Sequence, residues 1–68
     1  MEEPANLAEA LADEIHRNGE LLEAYKQIPS GGFGAAAITM DIRNAVSALA
    51  DGDVIQMLRA YSAMKNNE

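Results

Sequence analysis

The chain has 68 residues, no cysteine and a formal net charge of −6, from eleven acidic and five basic residues. This length admits a single domain, 1–68, and the absence of cysteine excludes disulfides and cysteine-ligated zinc. The negative charge opposes binding to nucleic acid and to anionic lipid. With only three aromatic residues, the core must be built from Leu, Ile, Met and many alanines. Sharing a face with another copy is the simplest way to bury more apolar surface, so we expect a homo-oligomer.

The beginning of the sequence indicates a protein that stays inside the cell. Met1-Glu2-Glu3-Pro4 is acidic and lacks the basic start and apolar run of a signal peptide. No apolar stretch is long enough to span a bilayer. We therefore expect a cytoplasmic location and no membrane partner.

The first predicted element is a helix over 6–27. Asn6 followed three residues later by Glu9 has the form of a capping box. Asn18 occupies an inward position on this helix, and Gly19 costs about 1 kcal/mol in a helix interior. Two shorter helices are the alternative to one helix with a kink. The apolar positions that keep helical spacing are Leu7, Leu11, Ile15, Leu22 and Tyr25.

Two further helices are predicted after the break at Pro29-Ser30-Gly31-Gly32. Helix 2 covers 33–50, and Gly52 suits a left-handed cap just past its end. Asp53 can cap helix 3 over 54–65, after which the polar tail is expected to fray. The fold class is therefore all-α, a three-helix bundle completed by oligomerisation. The apolar stripes are Ile38, Ile42, Ala45 and Leu49 on helix 2 and Val54, Met57, Leu58, Tyr61 and Met64 on helix 3.

Catalytic and metal chemistry have little support in the sequence. Asp13, His16 and Glu20 share one helix face and could in principle hold a metal across an oligomer interface. The other interpretation is a solvated polar face, which is the usual state of charged residues on a helix. We expect no enzyme activity, no metal and no cofactor.

The glycine-rich segment before helix 2 is the candidate binding site. Unpaired amides at a helix N-terminus attract anions, and glycine lets a phosphate approach the backbone closely. Arg59 and Tyr61 could add a phosphate contact and a stacking surface if a second copy brings helix 3 to the loop. The alternatives are a tight turn in which Phe33 fills the core, and surface ion pairs for the arginines. The candidate ligand-binding residues are Lys26, Ser30, Gly31, Gly32, Phe33, Gly34, Arg59 and Tyr61.

For two further groups of residues, the methionines and the acidic residues of helix 1, a role in binding a protein is one of the interpretations. Met40, Met57 and Met64 could form an adaptable protein-binding surface or fill gaps in an alanine-rich core. The acidic residues of helix 1 could dock on a basic surface of a host protein. These acidic residues are Glu9, Asp13, Glu20 and Glu23.

From Pro29 to Lys65 the sequence resembles short phage- and prophage-encoded helical proteins of Proteobacteria. The matching elements are Pro29-Ser30-Gly31-Gly32-Phe33-Gly34-Ala35-Ala36, Gly52-Asp53-Val54 and Met57-Leu58-Arg59-Ala60-Tyr61. The resemblance implies a setting in which a small protein acts on the host, either by covering a host protein or by sequestering a nucleotide defence signal.

These observations together favour a non-enzymatic counter-defence protein. We expect an oligomeric sponge that holds an anionic nucleotide, such as a cyclic nucleotide, without changing it. The alternatives are an acidic inhibitor of a host protein and a structural or assembly component of the phage.

Overall fold

The computed structural model describes residues 6–68, which form three α-helices and no strand. The helices are α1, Leu7–Lys26; α2, Gly32–Asp51; and α3, Val54–Lys65. The predicted all-α class and the three predicted helices are confirmed, with bounds that agree to within one residue. The prediction made from Met1-Glu2-Glu3-Pro4 lies outside the described residues. No helix in the described part is long and apolar enough to cross a membrane.

Helix α1 begins at a side-chain cap and continues through Gly19 without a break. The Asn6 side chain accepts a hydrogen bond from the Glu9 amide at 2.8 Å, which satisfies one free donor of the first turn. Gly19 lies inside an unbroken helix, and a Cβ added there would meet nothing within 4 Å. The alternative of two shorter helices is therefore wrong.

The corner between α2 and α3 is made by Gly52 and Asp53. Gly52 has φ 67°, a left-handed conformation that glycine adopts without a steric penalty. The Asp53 side chain then accepts a hydrogen bond from the Gln56 amide at 3.1 Å and caps α3. Both predictions for this corner are confirmed.

The core lies between the three helices and is thin. Met57 and Met64 belong to it, so the gap-filling interpretation is confirmed for these two methionines. Alanines allow the helices to approach closely but bury little surface each, so the large side chains carry most of the apolar stabilisation. The buried apolar residues are Leu11, Ile38, Ala45, Ala48, Met57, Ala60 and Met64.

A buried polar network at Asn18 ties the three helices together. Asn18 is 0% exposed, and its amide donates to the backbone oxygens of Glu14 at 2.8 Å and Met64 at 3.3 Å. Its oxygen accepts from the Asn67 amide at 2.8 Å, and the same amide donates to Asp41 at 2.9 Å. The inward position predicted for Asn18 is confirmed, and its polar atoms fix α1, α2 and the chain after α3 in one arrangement.

Arg17 holds the C-terminal end of α3. Its guanidinium donates to the backbone oxygens of Met64 at 2.6 Å and Asn67 at 3.0 Å, where a helix has free carbonyls and favours a cation. A hydrogen bond to the Glu14 carboxylate raises the pKa of the Arg17 guanidinium above its ordinary value. Tyr25 donates to the backbone oxygen of Glu68 at 2.5 Å. The expectation that the tail frays is therefore wrong, because side chains of α1 bind it.

Candidate functional site

The loop between α1 and α2 is built by close packing of glycine against Tyr25. Gly31 is buried, and a Cβ there would overlap the carbonyl oxygen of Tyr25. Gly34 faces the Tyr25 ring, and its Cβ would come within 2.6 Å of Tyr25 Cδ2. The tight-turn explanation thus accounts for these two glycines. It does not account for Gly32, which is exposed and has open space where a side chain would stand.

Phe33 points away from the core and is 91% exposed. Gly34 and Ile38, which lie one turn apart on α2, face inward, and Phe33 precedes Gly34 by about 100° of helical rotation. Filling the core with Phe33 would require turning α2 about its axis and exposing Ile38. The interpretation that Phe33 fills the core is therefore wrong, and the only phenylalanine of the chain is a surface residue.

Phe33 heads an exposed apolar face on the first half of α2. Ala36, Ala37 and Met40 follow it at helical spacing; the two alanines are exposed, and Met40 is 61% exposed. No ionisable residue occurs between Gly32 and Met40. We call Phe33, Ala36, Ala37 and Met40 the α2 face.

The N-terminus of α2 has no side-chain cap in the described part of the chain. Gly31 occupies the capping position, and the first turn contains no acidic residue. The first amides of a helix have no partner within the helix itself, so this end is able to receive hydrogen-bond acceptors. Ser30 is exposed beside it, and Lys26, also exposed, lies at the end of α1 with Nζ 3.3 Å from a Glu23 carboxylate oxygen. The loop end of the molecule therefore combines an uncapped helix, an exposed phenylalanine and a nearby cation.

Arg59 lies away from the loop. It lines an open groove of about 440 Å³ between α2 and α3, beside Ser47 and Asp51. Ser47 is fifteen residues beyond Gly32 on α2, a distance of about 22 Å along the helix axis. Arg59 is exposed, and no ion pair to it is formed within residues 6–68. Within one chain, Arg59 does not reach the other candidate ligand-binding residues.

Tyr61 is half-buried against the core, and Lys65 Nζ lies 5.6 Å from the centre of its ring. Arg59 and Tyr61 are two residues apart, so they leave α3 in nearly opposite directions. A second copy could therefore bring Arg59 to the loop, but one α3 does not present Arg59 and Tyr61 together to the same loop end.

The acidic residues of α1 form one outward stripe. Glu9, Asp13, Glu20 and Glu23 are all exposed and lie on the side of α1 opposite Leu11. His16 is on the same stripe with Nε2 3.3 Å from a Glu20 oxygen, and both side chains are largely exposed. Among the described residues, no three His, Cys, Asp or Glu side chains are placed so that they could hold one metal ion together. The geometry favours the solvated polar face over a metal site within one chain.

Two features of the surface and core were not found from the sequence. The α2 face could have been recognised, because its residues keep helical spacing about half a turn out of phase with the buried residues Ile38 and Ala45. The bonds of Asn67 to Asn18 and Asp41 had no sequence signal, because 49 and 26 residues separate the partners.

Comparison with protein-family models, with curated proteins and with solved structures found no match to this chain. Function must therefore be argued from the three-helix fold, the loop end and the exposed surfaces.

Proposed function

We propose that this chain is a non-enzymatic binding protein that works as a homo-oligomer and sequesters an anionic nucleotide at the loop end. The observation that carries the proposal is the 91% exposed Phe33 beside the uncapped N-terminus of α2. An exposed aromatic ring offers a stacking surface for a base, worth about 1–3 kcal/mol per base. The adjacent amides and the positive end of the helix dipole suit a phosphate.

Two neighbouring residues support the same role. Gly32 is not required by packing, and the absence of a side chain there lets a ligand approach the backbone of α2. Lys26 lies at the end of α1, immediately before the loop, and adds a positive charge to a strongly acidic chain. Because the loop end of one chain carries few cations, tight binding requires a further cation from another copy, such as Arg59.

The resemblance to phage-encoded proteins supplies the setting of the proposal. A protein of this kind would act in the cytoplasm of the host cell and lower the free concentration of a nucleotide signal used in defence. It would bind the signal and leave its covalent structure unchanged.

Isothermal titration calorimetry with a panel of cyclic and linear nucleotides tests the proposal. We expect heat of binding with at least one nucleotide, loss of that heat in Phe33→Ala, and retention in Ile55→Ala. Ile55 is a matched control because it is apolar, 63% exposed and on α3. A folded sample that gives no heat with any nucleotide at millimolar concentration would overturn the sponge.

The acidic stripe on α1 favours a second candidate function, inhibition of a host protein that has a basic surface. Four exposed carboxylates on one face would attract a partner with a basic surface, and salt would weaken the binding by screening that attraction. Glu20→Gln and Glu23→Gln should then reduce partner binding and leave nucleotide titrations unchanged. A phage assembly component remains a third proposal, and it requires only the oligomer.

A further inference from the structure

We infer that the α2 face is the contact between two copies of this chain, packed antiparallel about a two-fold axis that passes between Ala36 and Ala37. This inference rests on the proposed function, because it names the copy that completes the binding end. It concerns the surface formed by Phe33, Ala36, Ala37 and Met40, which none of the described residues covers.

The spacing of the α2 face makes it self-complementary. Phe33 and Met40 lie seven residues apart, two turns of helix, with Ala36 and Ala37 midway between them. In an antiparallel pair centred on the alanines, Phe33 of each copy lies opposite Met40 of the partner subunit. Small residues at the crossing point allow two helices to approach to about 8 Å, and a thioether beside an aromatic ring is a favourable contact.

Charge favours this face over the exposed apolar patch at the start of α3. The α2 face has no ionisable residue among its neighbours from Gly32 to Met40, so two copies of charge −6 can meet there with little local repulsion. The other patch, at Val54, Ile55 and Leu58, begins directly after Asp51 and Asp53, and a two-fold contact there would bring four carboxylates together.

The size of the α2 face predicts a weak dimer. The two phenylalanines together would bury roughly 300–500 Å², since an aromatic side chain buries about 150–250 Å². Adding the other residues of the face leaves the contact below the roughly 1,200 Å² of a typical stable interface. We expect dimerisation that depends on concentration, with a dissociation constant on the order of 10 μM to 1 mM.

The two-fold arrangement assigns a role to Arg43. This exposed arginine follows Met40 by about one turn of α2, so in the antiparallel pair it lies beside the loop end of the other copy, near the partner's Ser30. Each loop end would thereby gain a cation from the other copy. Phe33 has two ring faces, and it can contact Met40 of the partner subunit with one and a base with the other.

Single cysteines test the packing directly, because the chain contains none of its own. Under mild oxidation Ala36→Cys should form a disulfide-linked dimer, whereas Ser47→Cys, exposed on the same side of α2 but far from the axis, should not. Phe33→Cys mixed with Met40→Cys should give the mixed dimer about tenfold more than either variant gives alone. Of the four positions only Ala36 lies at the axis. Antiparallel packing therefore predicts linkage between Phe33→Cys and Met40→Cys, whereas parallel packing predicts that each of these variants links to itself.

Three results would overturn the inference: no dimer from Ala36→Cys above the level of Ser47→Cys, equal linkage at every position, or preferential self-linkage of Phe33→Cys. Sedimentation equilibrium of Phe33→Ser, with Ile55→Ser as the control, gives a second measurement. We expect Phe33→Ser to be monomeric where the wild type and Ile55→Ser associate. Association that Phe33→Ser retains unchanged would also overturn the inference.

A nucleotide titration of Arg43→Gln separates this inference from the proposed function. We expect weaker binding of the nucleotide found in the calorimetric panel, with dimer formation by Ala36→Cys unaffected in the same background. Nucleotide binding without cross-linking would refute the dimer contact on the α2 face but would remain consistent with nucleotide sequestration. Cross-linking without nucleotide binding would support the dimer and refute the sponge.

Discussion

Asn18 shows how one buried polar side chain can select a single packing of three helices. Every buried side-chain nitrogen and oxygen in the described residues has a hydrogen-bond partner, and Asn18 is bonded on both its amide and its oxygen. A core rich in alanine tolerates several helix arrangements of similar energy. An arrangement that left Asn18 unbonded would cost about 1–3 kcal/mol, so the network favours the observed one.

The first prediction concerns this network. Asn18→Leu should lower the free energy of unfolding by about 1–3 kcal/mol, because one amide proton of Asn67 loses its acceptor inside the protein. Urea denaturation followed by circular dichroism measures the change. Asn44→Ala, an exposed control on α2, should stay within about 0.5 kcal/mol of the wild type. An Asn18→Leu variant as stable as the wild type would show that the network is energetically neutral.

The second prediction compares adjacent glycines in the loop. Gly31→Ala should destabilise the protein by about 1–3 kcal/mol, since its Cβ would overlap the backbone of Tyr25. Gly32→Ala should stabilise it by about 0.4–1 kcal/mol, because the site is open and alanine restricts the unfolded chain. Thermal unfolding of the two variants gives both values. Equal changes at both positions would contradict the packing of Gly31 on α1.

At the scale of the helices, α1 supplies the side chains that bind the C-terminal end of α3. It is continuous through Gly19, so Arg17 and Asn18 are held on a rigid helix and reach the C-terminal end of α3 together. α3 has only twelve residues, a length at which an isolated helix is marginal. Its Asp53 cap at one end and the Arg17 contacts at the other supply the stabilisation that its length does not.

The third prediction tests the continuity of α1. Gly19→Ala should raise the free energy of unfolding by about 0.5–1 kcal/mol, because alanine loses less backbone freedom than glycine in a helix interior and meets nothing within 4 Å here. Urea denaturation is the measurement, and Gly52→Ala provides the contrast. Gly52 has positive φ, so alanine there should be destabilising. A loss of stability in Gly19→Ala would indicate that the helix needs a bend at this point.

For the whole molecule, the limiting feature is the small amount of large apolar surface in the core. Leu11 and Met64 are the only large apolar side chains that are fully buried in the described part, while Phe33 is outside. A domain of this size is only marginally stable with such a core. Covering the α2 face with a second copy would add apolar burial without lengthening the chain.

The fourth prediction concerns salt. Raising NaCl from about 20 mM to about 300 mM should strengthen self-association severalfold, because two copies of charge −6 repel each other and salt screens that repulsion. Sedimentation equilibrium at the two concentrations measures this effect, and Phe33→Ser should remain monomeric in both. Salt-induced dissociation would indicate that ion pairs, and not the apolar α2 face, hold the copies together. It would also favour a binding role for the acidic stripe.

Local sequence signals determined the three helices and their ends. The hydrogen bonds of the Asn6 and Asp53 caps connect residues three apart, and the left-handed Gly52 directly follows α2. Because these interactions are local, short stretches of sequence are enough to predict them. Helical spacing likewise identified most of the core, including Asn18 as an inward position, but Val54 and Leu58 of the predicted stripe on α3 are exposed. The loop was recognised as the break between helices, but the packing of Gly31 and Gly34 against Tyr25 has no local sequence signal.

Helical spacing indicates which sides of each helix are apolar, but only the tertiary structure decided which of these apolar sides is buried and where the tail lies. Phe33 is outside because the rotation of α2 is set by Gly34, Ile38 and Ala45 together. Asn67 is bound because α1 and α2 bring Asn18 and Asp41 to the end of α3. These outcomes depend on contacts between residues far apart in the chain, whose energies are decided jointly by the packing of all three helices. No local pattern contains that information.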